Sequence, residues 1–295
     1  MQKKKQKKVD LEIIIANYNS QFWLQKTLST LESFYLSTTK KKVRVTVVDN
    51  NSEDESVALM KKDFPWVELI ILDENVGYSA ANNKALEKTT ATYSMLLNSD
   101  MEFTEKSNID LLLKVMDKNP QIGVITPKVV FKNGSIDPAC HRGEPTPWAS
   151  LTYFSHLEKM FPNSKLFAQY HQTYKDFSTP HEIEACSGAA MLVRKSVIDS
   201  VGVLDERFFI YAEDLDWCKR FREAGNLIYY FPDVEIIHHK YKSGIKNASQ
   251  KIARKTQMHF YDTMLQYYDK HYRDIYPEFV RTLLRYFLII KKGAL

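Results

Sequence analysis

Four short apolar runs constrain the first hundred residues more than any other feature: 11–16, 43–48, 67–72 and 93–97. Each is nearly continuous in apolar side chains, the pattern of strands covered on both faces. Segments of helical character lie between them. Residues 21–35 place Trp23, Leu24, Leu28, Leu31 and Phe34 near one face. Residues 54–63 open on acidic side chains, which suit the positive end of a helix dipole. Residues 79–89 mix alanine with polar groups. This alternation predicts an α/β fold: a Rossmann-like, mostly parallel central sheet flanked by helices.

In an open parallel sheet, ligands bind beyond the carboxyl ends of the strands. The four runs end on Asn17-Tyr18-Asn19, Asp49-Asn50-Asn51-Ser52, Asp73-Glu74-Asn75-Val76-Gly77 and Asn98-Ser99-Asp100. One such cluster is an ordinary turn. Four at successive strand ends predict a single polar crevice. Neither GxxxxGK[ST] nor GxGxxG is present, which disfavours a P-loop NTPase and a simple dinucleotide dehydrogenase. A phosphorylated ligand would need its charge met otherwise, and a divalent cation held by Asp100 is the economical answer.

The remainder is less regular. Residues 108–118 read as an amphipathic helix ended by Asn119-Pro120, 122–126 and 128–131 as strands, and 132–135 as a turn. Residues 137–180, with their prolines and aromatics, read as a long substrate-facing excursion. A strand at 189–194, a helix at 196–200 and a helix at 214–224 stopped by Gly225 follow, then strands at 227–231 and 235–238. From residue 249 the pattern is helical and rich in Lys, Arg, His and Tyr.

Charge and cysteine content exclude several classes. The net charge of +5 equals the five lysines Lys3, Lys4, Lys5, Lys7 and Lys8, so the folded body is near neutral and is not a dedicated nucleic-acid binder. Cys140, Cys186 and Cys218 form no CxxC pair, which argues against a disulfide scaffold or structural zinc and for a reducing compartment. Cys218 reads as a buried small hydrophobe. The basic N-terminus lacks the apolar segment of a secretory signal, and no run approaches the roughly 20 apolar residues of a membrane span. The expected location is the cytoplasm.

The four strand-end clusters, with Asn75-Val76-Gly77-Tyr78-Ser79-Ala80-Ala81-Asn82-Asn83, resemble the nucleotide-sugar half of family 2 glycosyltransferases. Gly188-Ala189-Ala190-Met191-Leu192-Val193-Arg194 and Phe209-Ile210-Tyr211-Ala212-Glu213-Asp214-Leu215-Asp216-Trp217-Cys218 resemble the acceptor half. The resemblance spans residues 10–245 and is strongest to bacterial rhamnosyltransferases of cell-surface polysaccharide synthesis. It implies a GT-A fold over 10–248, with 10–103 binding the nucleotide sugar and 104–248 the acceptor. Residues 1–9 would be a disordered basic tail and 249–295 a helical extension.

The resemblance also implies roles. Asp49 matches the position that recognises the nucleobase, with Asn17, Gly77 and Asn83 beside it in the donor site. Asp100 matches the last carboxylate of a DxD-like metal motif whose first position is Asn98, and His238 matches a downstream metal-binding histidine. Together they would hold Mg²⁺ or Mn²⁺ against the diphosphate. Asp214 matches the base that deprotonates the acceptor hydroxyl, with Glu213 beside it. His239 is expected to be structural. Arg142 and Trp148, in an Arg-x-x-Pro-Thr-like region, are candidates for diphosphate or acceptor contact and for sugar stacking. The expected reaction is inverting transfer from dTDP-rhamnose, or next a UDP-sugar, to a polysaccharide or lipid-linked glycan.

Two alternatives stay open at this level. A sugar-nucleotide nucleotidyltransferase would want a glycine-rich basic loop after the first strand, which Asn17-Tyr18-Asn19 does not supply. A degenerate member would only bind a glycan or scaffold an assembly. Residues 279–292 mix apolar and basic side chains. A helix there would lie on an anionic membrane surface at the inner face of the membrane, dock onto the protein, or meet a second subunit.

Overall fold

The structure is a computed structural model and describes residues 9–240 and 250–293. The lysine run at 3–8, Tyr241 and the expected helix start at 249 lie outside the described residues. The first half is built where its apolar runs predict, except that the third forms an edge strand with Glu68 and Ile71 exposed and is not covered on both faces. Strands β1 (Leu11–Asn17), β2 (Val43–Asp49), β3 (Glu68–Ile71) and β4 (Tyr93–Leu97) alternate with helices α1 (Gln21–Leu31), α2 (Ser56–Asp63) and α3 (Gly77–Leu86). Helix α1 runs on through a π-helical turn at Glu32–Leu36, which accounts for its predicted extent to residue 35.

The second half adds β5 (Met101–Glu102), α4 (Ile109–Lys118), β6 (Ile122–Phe131), α5 (Pro147–Phe154), α6 (Leu157–Met160), β7 (His181–Ile183), β8 (Ala190–Arg194), α7 (Lys195–Val201), α8 (Glu213–Glu223) and β9 (Leu227–His238). The nine strands form one sheet in the order β3-β2-β1-β4-β8-β6-β9-β5, with β7 also paired to β9. Pairs among β1 to β4 are parallel, as is β6–β9. The pairs β4–β8, β6–β8, β5–β9 and β7–β9 are antiparallel. The sheet is therefore mixed rather than mostly parallel, because β8 enters head-on between β4 and β6.

Two predicted strand breaks are a single local irregularity. Pro127 opposes Phe231, but the next residue, Lys128, opposes Glu235, so Pro232, Asp233 and Val234 loop out of register. A proline cannot donate to a ladder and is tolerated where pairing is interrupted. Both strands continue past the bulge, so β6 and β9 are each one strand, not two.

The core lies on both faces of the sheet. Ile13, Ile14 and Ile15 are fully buried, and Leu24, Leu28 and Leu31 of α1 cover one face. Each such side chain contributes about 1.5–3 kcal/mol by leaving water. Glu12, the acid inside the first apolar run, is buried but accepts hydrogen bonds from Thr46 and Thr89, with Arg44 close by. All three cysteines are free and buried. The C-terminal segment forms α9 (Gln250–His271) and α10 (Glu278–Gly293). Helix α9 is pinned to α8, where Asp216 takes Lys270 at 2.5 Å and His271 at 2.7 Å. Glu144 adds a second clamp through Lys219, Arg222 and Tyr272.

Candidate active site

Strand register gathers the polar ends. Asn17 stands directly opposite Asp49 across β1 and β2. Asn17 Nδ2 donates to Asp49 Oδ1 at 2.9 Å, and Ser52 donates to both Asp49 oxygens from its hydroxyl and its backbone N–H. Asn50 ties this loop to the next, bonding Asn75, Val76 N and the Gly77 carbonyl. The Asp49 carboxylate is thus buried and occupied within its own loop. Gly77 has φ +87°, and a Cβ there would stand 2.5 Å from the Phe209 carbonyl oxygen. Only glycine allows α3 to start so close to the 208–212 segment, which Tyr78 N and Ser79 Oγ then hold through Phe209 and Phe208 carbonyls.

The other half of the crevice opens where β4 ends. Leu97 opposes Ala190, so Asn98 N donates to Ala189 O at 3.0 Å. Met101 opposes His238, which sets Asp100 Oδ1 3.2 Å from His238 Nε2. On its other side, His238 Nδ1 donates to Asp137 Oδ2 at 2.8 Å, and Lys240 Nζ reaches Asp137 Oδ1 at 3.2 Å. Burial would raise the Asp137 carboxyl, but His238 and Lys240 hold it at about 2. Burial would lower the His238 imidazole, but Asp100 and Asp137 lift it to about 9. Raised so far, the imidazole carries a proton on Nε2 that a cation would have to displace; with Nδ1 anchored on Asp137, the freed Nε2 and the Asp100 carboxylate have the donor chemistry for a divalent cation. Among the described residues no group of three or more His, Cys, Asp or Glu side chains forms a protein-only cage. Two ligands require phosphate oxygens or water to complete the shell.

Asp214 sits in the first turn of α8. Tyr211 and Ala212 just before it have φ of +71° and +64°. Two consecutive side-chain-bearing residues in this strained region cost about 1–3 kcal/mol each, and such strain concentrates at functional turns. Asp214 Oδ2 accepts from Arg142 Nη2 at 2.6 Å, and Oδ1 accepts from Leu215 N at 2.7 Å. Arg142 also donates to Cys186 O at 3.0 Å. Glu213 is buried, its Oε2 lacks a hydrogen-bond partner among the described residues, and burial with the neighbouring Asp214 pushes its carboxyl up to about 8.

The segment 186–189 joins the two clusters. Cys186 O receives Arg142, Gly188 O receives the Tyr78 hydroxyl at 2.9 Å, and Ala189 O receives Asn98 N. The half-buried Tyr78 phenol is raised well above its usual value by the loss of solvent and then by Glu213, Asp214 and, more weakly, Asp100. The Arg142–Asp214 pair is thus tied to this segment directly through Cys186 O, and the Asp100–His238 pair through Asn98, two residues before Asp100.

Other expected residues lie differently. Asn83 bonds Leu204 O, Glu206 and Leu204 N, so its buried amide secures the loop before α8. Trp148 is half-exposed, donates to Leu166 O and meets the Phe167 ring. His239 stacks on Trp23 and bonds Glu102, a structural arrangement. Two residues that sequence reasoning missed belong here: Tyr78, quoted only as part of a motif, and Asp137, whose one local signal was the Asp-Pro start of a turn.

The comparisons agree with this architecture. The profile of "Glycosyl transferase family 2" matches residues 12–202. The N-acetylglucosaminyl-diphospho-decaprenol L-rhamnosyltransferase of Mycobacterium tuberculosis is 26% identical over 272 residues, covering 88% of this chain and 85% of that protein. The low-salt glycan biosynthesis hexosyltransferase Agl10 of Haloferax volcanii is 25% identical, covering 78% of this chain and 67% of its own. Among solved structures, the mannosyltransferase of Pyrobaculum calidifontis in complex with GDP-Man and Mn²⁺ superposes with a TM-score of 0.58 at 15% identity, covering 95% of this chain and 69% of that one. The fold is the GT-A-like one expected, and the chain belongs to glycosyl transferase family 2.

Proposed function

We propose that this glycosyltransferase moves a sugar from a nucleoside-diphosphate donor, dTDP-rhamnose first and UDP-sugars next, to a hydroxyl of a surface polysaccharide or lipid-linked glycan, with inversion. The observation that carries the reading is the convergence of the Asp100–His238 pair and the Arg142–Asp214 pair on the 186–189 segment. The preference for rhamnose is supported by the Mycobacterium tuberculosis relative, which is named as a rhamnosyltransferase.

Asp100 and His238 would hold Mg²⁺ or Mn²⁺, which when bound neutralises charge building on the departing diphosphate. Asp137 fixes the His238 ring so that Nε2 faces Asp100. Arg142 orients the Asp214 carboxylate, which takes the proton of the acceptor hydroxyl as that oxygen attacks the anomeric carbon. One displacement from the face opposite the diphosphate inverts that carbon. Glu213, protonated at neutral pH, can donate as well as accept a hydrogen bond with a sugar hydroxyl. Asn17, Asp49 and Gly77 shape the donor wall through the loops they hold, and Asn83 acts at one remove through the 204–206 loop. Trp148 lies on the acceptor side, where an exposed ring can stack on a sugar.

The test is a donor screen across dTDP- and UDP-sugars, read as transfer and as hydrolysis, with thermal shift for nucleotide binding. Asp214→Asn is expected to keep the Mn²⁺- and nucleotide-dependent shift while losing about 10²- to 10⁴-fold in transfer. Asp100→Ala is expected to lose both. Full transfer activity in Asp214→Asn removes it as the base, and no shift with any nucleotide favours a non-catalytic scaffold.

A further inference from the structure

Helix α10 is apolar on two sides. Val280 and Leu284 pack on the core, Leu288 is buried, and Phe287 meets Phe154 of α5 with ring centroids 5.0 Å apart. A second side, about 115° round the helix at 100° per residue, carries Phe279, Leu283, Tyr286 and Ile290, exposed by 63, 63, 63 and 70%. At 100° per residue these four fall in one stripe. A helix already packed through one face needs no second apolar stripe in water, and an exposed apolar patch of this kind marks a binding surface.

The apolar surface extends beyond the helix. Through the Phe154–Phe287 contact it reaches α5, where Leu151 is 56% exposed, and α6, whose last residue Met160 and the Phe161 after it are exposed by 67 and 46%. Cations accompany both parts. Arg273, Arg285 and Lys291 are exposed on or next to α10, against the exposed acids Asp274 and Glu278. Lys159 and Lys165 are exposed on and just after α6. We propose that the outer face of α10 and the α5–α6 rim form one docking surface for an anionic lipid bilayer.

The charge selects this occupant. Around this surface the exposed cations named here outnumber the exposed acids five to two, and at 100° per residue Arg285 and Lys291 flank the stripe of α10 on either side. A bilayer takes the apolar side chains among acyl chains and the cations among anionic headgroups. No helix of the described residues is long and apolar enough to cross a membrane, so the mode is attachment along the surface. Only four residues separate Arg142, the partner of Asp214, from Pro147 at the start of α5. The docking surface is thereby joined to the acceptor side of the site. A lipid-linked acceptor rests on the transferase reading above, but the docking itself does not.

Co-sedimentation of the full chain with vesicles tests this without any sugar substrate. The chain is expected to pellet with vesicles of phosphatidylglycerol and phosphatidylcholine in equal parts, less so as salt is raised, and little with phosphatidylcholine alone. Leu283→Glu combined with Ile290→Glu is expected to weaken binding at least about tenfold, and Met160→Glu to weaken it separately. These positions are exposed, so an unchanged melting temperature confirms that the variants are folded. Wild-type binding retained in the double variant overturns the proposal. So does a wild-type dimer that the double variant makes monomeric while neither binds vesicles. Unweakened binding in Met160→Glu overturns the α5–α6 part. A transfer assay run in parallel separates loss of docking from loss of activity.

Discussion

Asp137 shows how much of this site depends on a residue that would never touch the donor. It is almost fully buried, and its carboxylate is shared among His238, Lys240 and the backbone N–H of Ala139. A carboxylate bonded to Nδ1 fixes the imidazole tautomer and ring orientation, and loss of such a partner typically costs 10- to 100-fold in metal affinity. Asp137→Asn should therefore need about that much more Mn²⁺ to reach half of the thermal shift measured with UDP or dTDP. The shift at saturating Mn²⁺ should remain, because Asp100 and His238 are intact. An unchanged Mn²⁺ midpoint would show that Asp137 only fills space. The same residue marks a limit of sequence reading. Its partner lies 101 positions away, and nothing local distinguishes Asp137 from an ordinary acid before a proline turn. Asp214 and Asp100 were legible because their neighbours in the chain form a pattern.

At the scale of elements, the clamp between α8 and α9 rests on acids in unusually cationic surroundings. Burial would raise Glu144, but Lys219, Tyr272 and Arg222 draw its carboxyl down to about 2 from 4.5. Asp216 is also held below its ordinary value, with His271 and Lys270 overcoming the effect of burial. A carboxyl depressed in the folded state stabilises fully above its unfolded pKa and loses that contribution as pH falls toward the folded value. The clamp should be intact above about pH 4.5 and weaken progressively down to about pH 2. Hydrogen exchange of backbone amides in 260–272 reads this directly, and Glu144→Gln should reproduce the loosening at neutral pH, at a cost of roughly 2–3 kcal/mol. Protection that stays level down to pH 2 would remove Glu144 from the clamp. The clamp was not visible in the sequence, whereas the elements it joins were. Apolar runs located β1 to β4, the placing of apolar residues on one face located α1 and α4, and Gly225 marked the end of α8. Strands β5 and β7 went unseen because two or three residues carry no period. Pro127 and Pro232 were read as strand ends because the sequence cannot tell a terminus from a bulge. Neither could the sequence tell which side of α10 packs, since both are apolar.

At the scale of the whole molecule, the direction of β8 decides whether donor and acceptor parts behave as two units or one. The resemblance divides the chain near residue 103, yet β8, from the acceptor part, lies between β4 of the donor part and β6. Leu192 is fully buried and stands opposite Met95 on one side and Ile125 on the other. The same short strand delivers the 186–189 segment that links the Asp100 and Asp214 clusters, so the sheet and the site share one joint. If the joint is continuous, the cavity left by Leu192→Ala should cost about 2–5 kcal/mol. That loss should appear equally in hydrogen-exchange protection of peptides from β1 and from β9, the opposite sides of β8. Two independent parts would behave otherwise, with protection falling in β6 and β9 while β1 and β2 kept theirs. That result would also sever the argued link between donor and acceptor chemistry, because a site spanning two separately unfolding bodies could not keep Arg142, Gly188 and Asn98 in fixed relation to one another.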